Sequence, residues 1–328
     1  MTVIDVHTHM LTREYLALLE QHGAPQYRRV TNAAGEETIQ RLGAPFFTLT
    51  EPMWDYSQRL RDMDRAQVDV AIVSLTCPNV FFGDAEASLA AARNVNDSMA
   101  EQQTLRPERI RWLASLPWQY PDLAVDELGR ALEAGAVGVM VIANIDGRHL
   151  TDPLFAGVWA EIDRRALPVL VHPGPPIGAA DLGLADFGLV PAAGFPFDTT
   201  IAFARLFLDG FLDRHSRLKL IAAHGGGALP WLAARLDRCH AQLPAASVKT
   251  ATPPSEYMRR IYYDAVLYSE AALRLCIEAA GSDERVLFGS DYPHNIGDMQ
   301  GCLDRTARLP SKSARRVAGT NAARLFGL

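Results

Sequence analysis

The sequence predicts an α/β chain folded as a (β/α)8 TIM barrel with a small insertion after the first strand. Three observations predict it. Eight short segments are β-branched or continuously apolar, as parallel strands buried on both faces are. A helix or helical region follows each of them, the alternation of a parallel barrel. No GxGxxG follows the first strand, so the open doubly wound sheet lacks its usual support.

The first strand is "VIDVHTHM", residues 3–10. A polar, irregular stretch over residues 11–53 contains "QYRRVTNAAGEETIQRLGAPFF" and reads as an insertion, a hairpin or a lid over the strand ends. Residues 55–66 read as a helix and "VDVAIVS" (68–74) as the second strand. Helix 85–105 leads to "IRWLASLP" (110–117), the helix "DLAVDELGRALEA" to "AVGVMVI", and helix 153–166 to "LPVLVHP". A Gly/Pro-rich loop (173–197) precedes the helix "TTIAFARLFLDGFLD". "LKLIAAHGGG" is the sixth strand with its glycine turn, which is not a phosphate loop because no GK[ST] follows. A helix from 228, the strand "RIYYDA", a helix over 269–280, the strand "RVLFGSDYP" and further helices complete the chain. No repeat or low-complexity tract divides it, so residues 1–328 are expected to form a single domain.

Composition narrows the partners. Hydrophobic residues make up 48% of the 328 and charged residues 21%, enough for a large core. The net charge is −6 with no basic run, which argues against nucleic acid. No apolar stretch is long enough for a bilayer, and Asp5 and His7 interrupt any signal-peptide profile, so the cytoplasm is the expected location. Cys77, Cys239, Cys276 and Cys302 are scattered without CxxC spacing and read as reduced thiols.

Functional groups of a barrel gather at the C-terminal ends of its strands. His7 and His9 close strand one, His172 strand five, His224 strand six, Asp264 strand seven and Asp291 strand eight. Alternate strand residues share a face, so His7 and His9 both point into the barrel mouth. Asp5 shares their parity one layer deeper, where it either orients a ligand histidine or is a hydrogen-bonded structural group. An HxH pair alone is a weak signal, but His7, His9, His172, His224 and Asp291, five residues at four strand ends, point to a metal. Imidazole and carboxylate suit Zn²⁺, with Mn²⁺ or Co²⁺ possible on the same donors. His7, His9, His172 and Asp291 make four ligands and leave room for a water whose pKa the metal lowers to about 7. His224 is then free to take or give a proton near neutral pH. His22, His149, His215 and His240 carry no such signal. His294, three residues past Asp291, should face the same mouth as a substrate contact.

The motifs "IDVHTH", "VLVHP", "IAAHGGG" and "VLFGSDYP", with "RLRDMDRAQVDVAIVS", "NDSMAE" and "GTNAARLFGL", resemble the amidohydrolase superfamily along the full length. They look most like its branch of 2-amino-3-carboxymuconate-6-semialdehyde (ACMS) decarboxylases and aromatic-acid decarboxylases. The resemblance implies one zinc on His7, His9, His172 and Asp291, with His224 as the acid/base. It also implies a homodimer in which Arg235, eleven residues past His224, reaches the neighbouring subunit's site to hold a substrate carboxylate. The chain departs from the ACMS branch where it reads "PFFTLTEPMWD" without an arginine, "HPG" with Gly174, and His294 in place of phenylalanine. Arg28 or Arg29, in the insertion, are the candidates to replace the missing arginine. The expected activity is metal-dependent decarboxylation of a small aromatic or unsaturated carboxylic acid, with Asp291 and His224 handling protons. The alternative is zinc-dependent hydrolysis of a C–C, ester, lactone or amide bond on the same scaffold. A binding protein with a structural zinc is the remaining reading.

Overall fold

A computed structural model of the chain describes residues 2–32 and 34–328. Its strands are β1 (Ile4–His9), β2 (Tyr27–Thr31), β3 (Glu37–Arg41), β4 (Ala44–Thr48), β5 (Val70–Ser74), β6 (Ile110–Ala114), β7 (Gly138–Ile142), β8 (Asn144–Ile145), β9 (Arg148–His149), β10 (Pro168–His172), β11 (Lys219–Ala222), β12 (Tyr262–Asp264) and β13 (Val286–Leu287). Eight of them, β1-β5-β6-β7-β10-β11-β12-β13, lie side by side in chain order and run parallel. The cylinder closes by main-chain bonds between the last and first strands. The Val6 amide donates to Phe288 O (3.0 Å), the Asp291 amide to His7 O (2.8 Å) and the His9 amide to Tyr292 O (2.7 Å). The fold is the expected (β/α)8 barrel.

The barrel strands are short because each is buried on both faces and needs only enough length to fill the interior. Val169, Leu170, Val171, Val139, Met140 and Val141 are fully buried. The sequence overreads the later strands. "RVLFGSDYP" is paired as a strand only over Val286–Leu287. Beyond it Asp291 turns left-handed (φ 59), which lifts the chain off the ladder toward β1. The helix expected over 199–213 is two, Phe195–Leu208 and Phe211–Arg214, because Gly210 (φ 63) breaks it. A short β8–β9 hairpin follows β7 and was not expected.

The insertion holds a helix (Arg13–His22) and a three-stranded antiparallel sheet, β2-β3-β4, in place of a simple hairpin. Ile39, Phe46 and Tyr27 of that sheet are buried in the same core as the barrel. The helix after the insertion, Tyr56–Ala66, is capped by Asp55, whose carboxylate accepts from the Ser57 and Gln58 amides. It sends Arg59 inward. That guanidinium is fully buried and donates to Thr8 Oγ1 (2.6 Å) and His9 O (2.5 Å), bracing the end of β1.

Candidate metal centre

The strand ends bring His7, His9, His172, His224 and Asp291 together. Two overlapping groups form, His7–His172–His224–Asp291 and His9–Asp291–His294, each with its donor atoms within 4.8 Å of one another and both sharing Asp291. His7 Nε2 and His9 Nε2 are 3.1 Å apart, and they lie 3.5 and 3.3 Å from Asp291 Oδ1. Donors on a tetrahedral ion with bonds of about 2.0–2.1 Å stand roughly 3.3 Å apart. This triangle therefore fits one such ion without rearrangement. Asp291 Oδ1 is buried with no hydrogen-bond donor of its own, as a ligand atom facing a cation would be.

The far nitrogen of each expected ligand histidine is engaged by the protein. His7 Nδ1 meets Asp264 Oδ2 at 2.5 Å, His9 Nδ1 meets Ser74 Oγ at 3.3 Å, and His172 Nδ1 meets Pro173 O at 2.8 Å. All three Nε2 atoms are left for the centre, the arrangement that orients metal-binding imidazoles. His224 differs. Its Nε2 lies 3.5 Å from Asp291 Oδ2, while its Nδ1 is buried without a partner. Both His224 (φ 53) and Asp291 (φ 59) hold left-handed backbones, an uncommon conformation that gathers at functional sites.

Burial and neighbouring charge set unlike protonation for the two histidines of one strand. Burial would lower the His7 pKa, but Asp264 and then Asp291 outweigh it and raise it to about 10. His9 has only the shared Asp291 and a charged neighbour in His7, so burial lowers it to about 3. His172 is pushed well below the usual range by burial and the surrounding histidines. The Asp291 carboxylate stays far below its usual range because His224, His7 and His9 outweigh its burial. A metal at this centre would displace one proton from His7 and find His9 and His172 already neutral.

Several roles escape the sequence. Of the two uses considered for Asp5, hydrogen bonding is what the structure holds. It accepts from Ser290 Oγ (2.5 Å) and the His7 amide (3.2 Å), and burial raises its pKa to about 6. Asp264 is the carboxylate on the His7 ring; its place at a strand end was legible, its partner was not. The glycines of "HGGG" are required by close packing and backbone conformation. Gly225 packs on Leu267, Gly226 on Tyr263 and Gly227 on Pro196, all at positive φ. Gly174 donates to Asp198 Oδ2 (2.9 Å), whose carboxylate also takes the Asn144 amide, and a side chain there would strike Ile142.

Over the centre lies a cavity of about 200 Å³ walled by Phe46, Phe47, Phe195, Cys77 and Ile296, with His172, His224, Asp291 and His294 at its polar end. His294 is there, as expected, with Nε2 2.8 Å from Thr76 Oγ1 and its ring edge-on to Phe47. Neither candidate arginine of the insertion is. Arg28 is exposed, and Arg29 pairs on the surface with Glu37 (2.6 Å). Arg235 is exposed on the helix Leu229–Gln242 and does not line the cavity of its own chain.

A parallel barrel whose strand ends bring an HxH pair, two further histidines and an aspartate to one point has the layout of a metal-binding barrel enzyme. The chain belongs to the amidohydrolase family, whose model, described as Amidohydrolase, matches residues 4–328. It is 27% identical to 2-amino-3-carboxymuconate-6-semialdehyde decarboxylase of Dictyostelium discoideum over 99% of this chain and 91% of the relative. It is 30% identical to gamma-resorcylate decarboxylase of Rhodococcus jostii over 82% of this chain and 87% of the relative. The crystal structure of 5-carboxyvanillate decarboxylase from Sphingomonas paucimobilis superposes with a TM-score of 0.84 at 27% identity, covering 100% of this chain and 99% of that one.

Proposed function

We propose that the chain is a metal-dependent decarboxylase of a small aromatic carboxylic acid. The observation that carries this reading is the contrast among four histidines around Asp291: three have Nδ1 engaged and Nε2 turned inward, and His224 has an unengaged Nδ1. His7, His9, His172 and Asp291 would hold one divalent ion, zinc by its preference for these donors, with manganese or cobalt served by the same set. When bound, the ion supplies positive charge that binds and polarises oxygens of the substrate. Phe46, Phe47 and Phe195 would enclose the ring, and His294, fixed by Thr76, would contact a polar substituent. His224 then delivers a proton to the ring carbon that bears the carboxylate. The C–C bonding pair returns to the ring and CO₂ leaves. Asp291, beside His224 Nε2, helps return the proton for the next turnover. The three relatives named above are all named as decarboxylases, which supports the reading.

Residues 1–328 are read as one domain, with 11–53 as the lid that completes the cavity wall. The same reading makes the protein a cytoplasmic homodimer. Its four cysteines are free, and among the described residues no helix is long and apolar enough to cross a membrane. Trp231 is 80% exposed one helical turn before Arg235. An exposed indole beside an exposed arginine is what an interface delivering Arg235 to a second copy requires. Sedimentation of the wild type and Trp231→Ala tests it: a dimer weakened by the substitution is expected, and a wild-type monomer excludes it.

The deciding experiment follows CO₂ and residual substrate together on metal-loaded protein with a panel of ortho-hydroxy and ortho-amino aromatic acids. CO₂ released in step with substrate loss is expected. Silence across the panel overturns the reading. One observation favours a second reading, hydrolysis: among the described residues, no lysine or arginine lines the cavity over the centre. Water would then attack a carbonyl, and ¹⁸O from water would appear in the product acid.

A further inference from the structure

The rim opposite the metal centre carries a pocket that the proposed chemistry does not use. Three neighbouring strands begin there. Lys219 opens β11, Arg260 and Ile261 lead into Tyr262 at the start of β12, and Arg285 immediately precedes β13. Together with His215 and Arg217, from the turn before β11, they line a cavity of about 340 Å³. Small-molecule sites run from about 300 Å³ upward. His224 stands five positions beyond Lys219 along the same strand, roughly 15 Å at ~3.3 Å per residue, so the two sites are at opposite ends of the barrel.

The lining is cationic and contains no carboxylate. Arg217, Lys219, Arg260 and Arg285 bring four positive charges to one cavity, in a chain whose net charge is −6. Other arginines nearby are paired: Arg214 with Asp209, Arg316 with Asp283 (2.8 Å) and Glu284 (2.9 Å), and Arg324 with Glu284 (3.5 Å). The remaining nearby carboxylates are engaged too. Asp213 holds Arg260 (2.9 Å), and Asp163 accepts from the Arg217 main-chain amide (2.8 Å). Among the described residues no carboxylate pairs with the side chains of Arg217, Lys219 or Arg285. Arg285 is nevertheless ordered: its guanidinium lies 4.7 Å from the centroid of the Tyr262 ring, a contact that leaves its N–H donors unused.

We infer that this pocket binds a phosphoryl dianion, as inorganic phosphate or as the phosphate group of a small ester. Three unpaired cations converging on one cavity raise the local concentration of anions. A phosphate group carries close to two negative charges at neutral pH and offers three or more acceptor oxygens, which suits three cations better than a single carboxylate does. Arg217 and Arg285 present planar forks that match phosphate oxygens, and Lys219 adds a point charge. Ser216, on the same lining, supplies a hydroxyl donor. Leu212, Leu218 and Ile261 give an apolar wall for the organic part of an ester. The inference stands apart from the reading of the metal centre.

The test is equilibrium dialysis of metal-loaded protein at fixed ionic strength against inorganic phosphate, pyrophosphate and glycerol 3-phosphate. Saturable binding of one equivalent at this pocket, with a Kd below ~1 mM, is expected for at least one probe. Arg217→Gln, which changes an exposed side chain, and Arg285→Gln should each weaken it roughly tenfold. Arg274→Gln makes the same change in net charge on the helix Glu270–Ala280, off the pocket, and should leave binding as it is. Glycerol 3-phosphate binding more tightly than inorganic phosphate marks an ester as the ligand and the reverse marks free phosphate; both orders support the site. No saturable binding of any probe overturns the inference. Binding unchanged in Arg217→Gln and Arg285→Gln also overturns it, since the anion then sits elsewhere, the metal centre included. Equal weakening in Arg274→Gln overturns it by reducing the effect to net charge. A glutamate-rich peptide that binds more tightly than every phosphate probe, and loses that binding in Arg217→Gln, overturns it in favour of an acidic protein partner.

Discussion

The strand ends and the insertion face one cavity with opposite chemistry. The strand ends contribute imidazoles and carboxylates, largely buried and tied in place by side chains and carbonyls of the barrel. The insertion contributes Phe46, Phe47, Thr38 and Thr48, which enclose space and carry no formal charge. Arg41, at the end of β3, lines a separate small pocket outside the cavity. The difference teaches where reaction and selection are separated. Groups that must hold an ion to a few tenths of an ångström are on paired strands, where neighbouring strands fix each Cα. Under the proposed function, the groups that meet the variable part of a substrate are on an added sheet that is free to differ without disturbing the ladder.

This division is broken most directly at its charged end. Asp291→Ala removes the one carboxylate shared by both donor groups. It should leave the protein with well under one equivalent of metal by elemental analysis, and turnover should fall roughly 10³-fold or more. Full metal content in that variant would place the ion elsewhere. His224→Ala should keep the metal and lose turnover by roughly 10²-fold or more; an active variant removes His224 from the chemistry.

A third prediction concerns the carboxylate behind the ligands. Asp264→Asn keeps the shape and removes the charge that holds the His7 ring. Metal affinity, measured against a competing chelator, should drop roughly 10- to 100-fold. The same pairing fixes a proton count. The folded, metal-free chain holds His7 protonated, since its pKa is raised to about 10, while His9 at about 3 is neutral. Metal uptake should therefore release about one proton at pH 7–8, and affinity should rise with pH up to that raised value. Calorimetric titration in two buffers of different ionisation enthalpy reads the number, and Asp264→Asn should reduce it. Release of two or more protons would mean that His9 or His172 is also protonated in the free chain.

The smallest effect sharpens the insertion's side of the comparison. Phe47→Ala should raise KM several-fold, worth ~1 kcal/mol of lost apolar contact, with metal content unchanged. Lost metal in that variant would mean the insertion supports the centre as well as covering it.

Much of this was legible in the chain. The order and number of barrel strands follow from apolar runs, and period two on β1 puts His7 and His9 on one face. The five strand-end residues of the centre could be named because a barrel gathers its strand ends on one rim whatever the sequence between them. The cross-strand pairings could not. Asp264 and His7 are 257 positions apart and meet at 2.5 Å only because the seventh barrel strand stands two places from the first around a closed cylinder. Arg28, Arg29 and Arg41 look alike in the insertion, and only the register of β2 on β3 separates them. Arg29 stands opposite Ile39 and pairs with exposed Glu37, whereas Arg41 stands opposite buried Tyr27 at the other end of β3 and lines the small pocket there.

The sequence by itself determined the barrel, the rim at its strand ends and the histidines and aspartate that gather there. Those depend on local periodicity and on a fold rule that holds for any parallel barrel. The tertiary structure decided which nitrogen of each histidine faces the centre, which carboxylate supports which ring, and which arginine lies next to the cavity. Those depend on distances between segments remote in the chain, set by closure of the barrel and by the register of the inserted sheet, and local pattern carries no record of either.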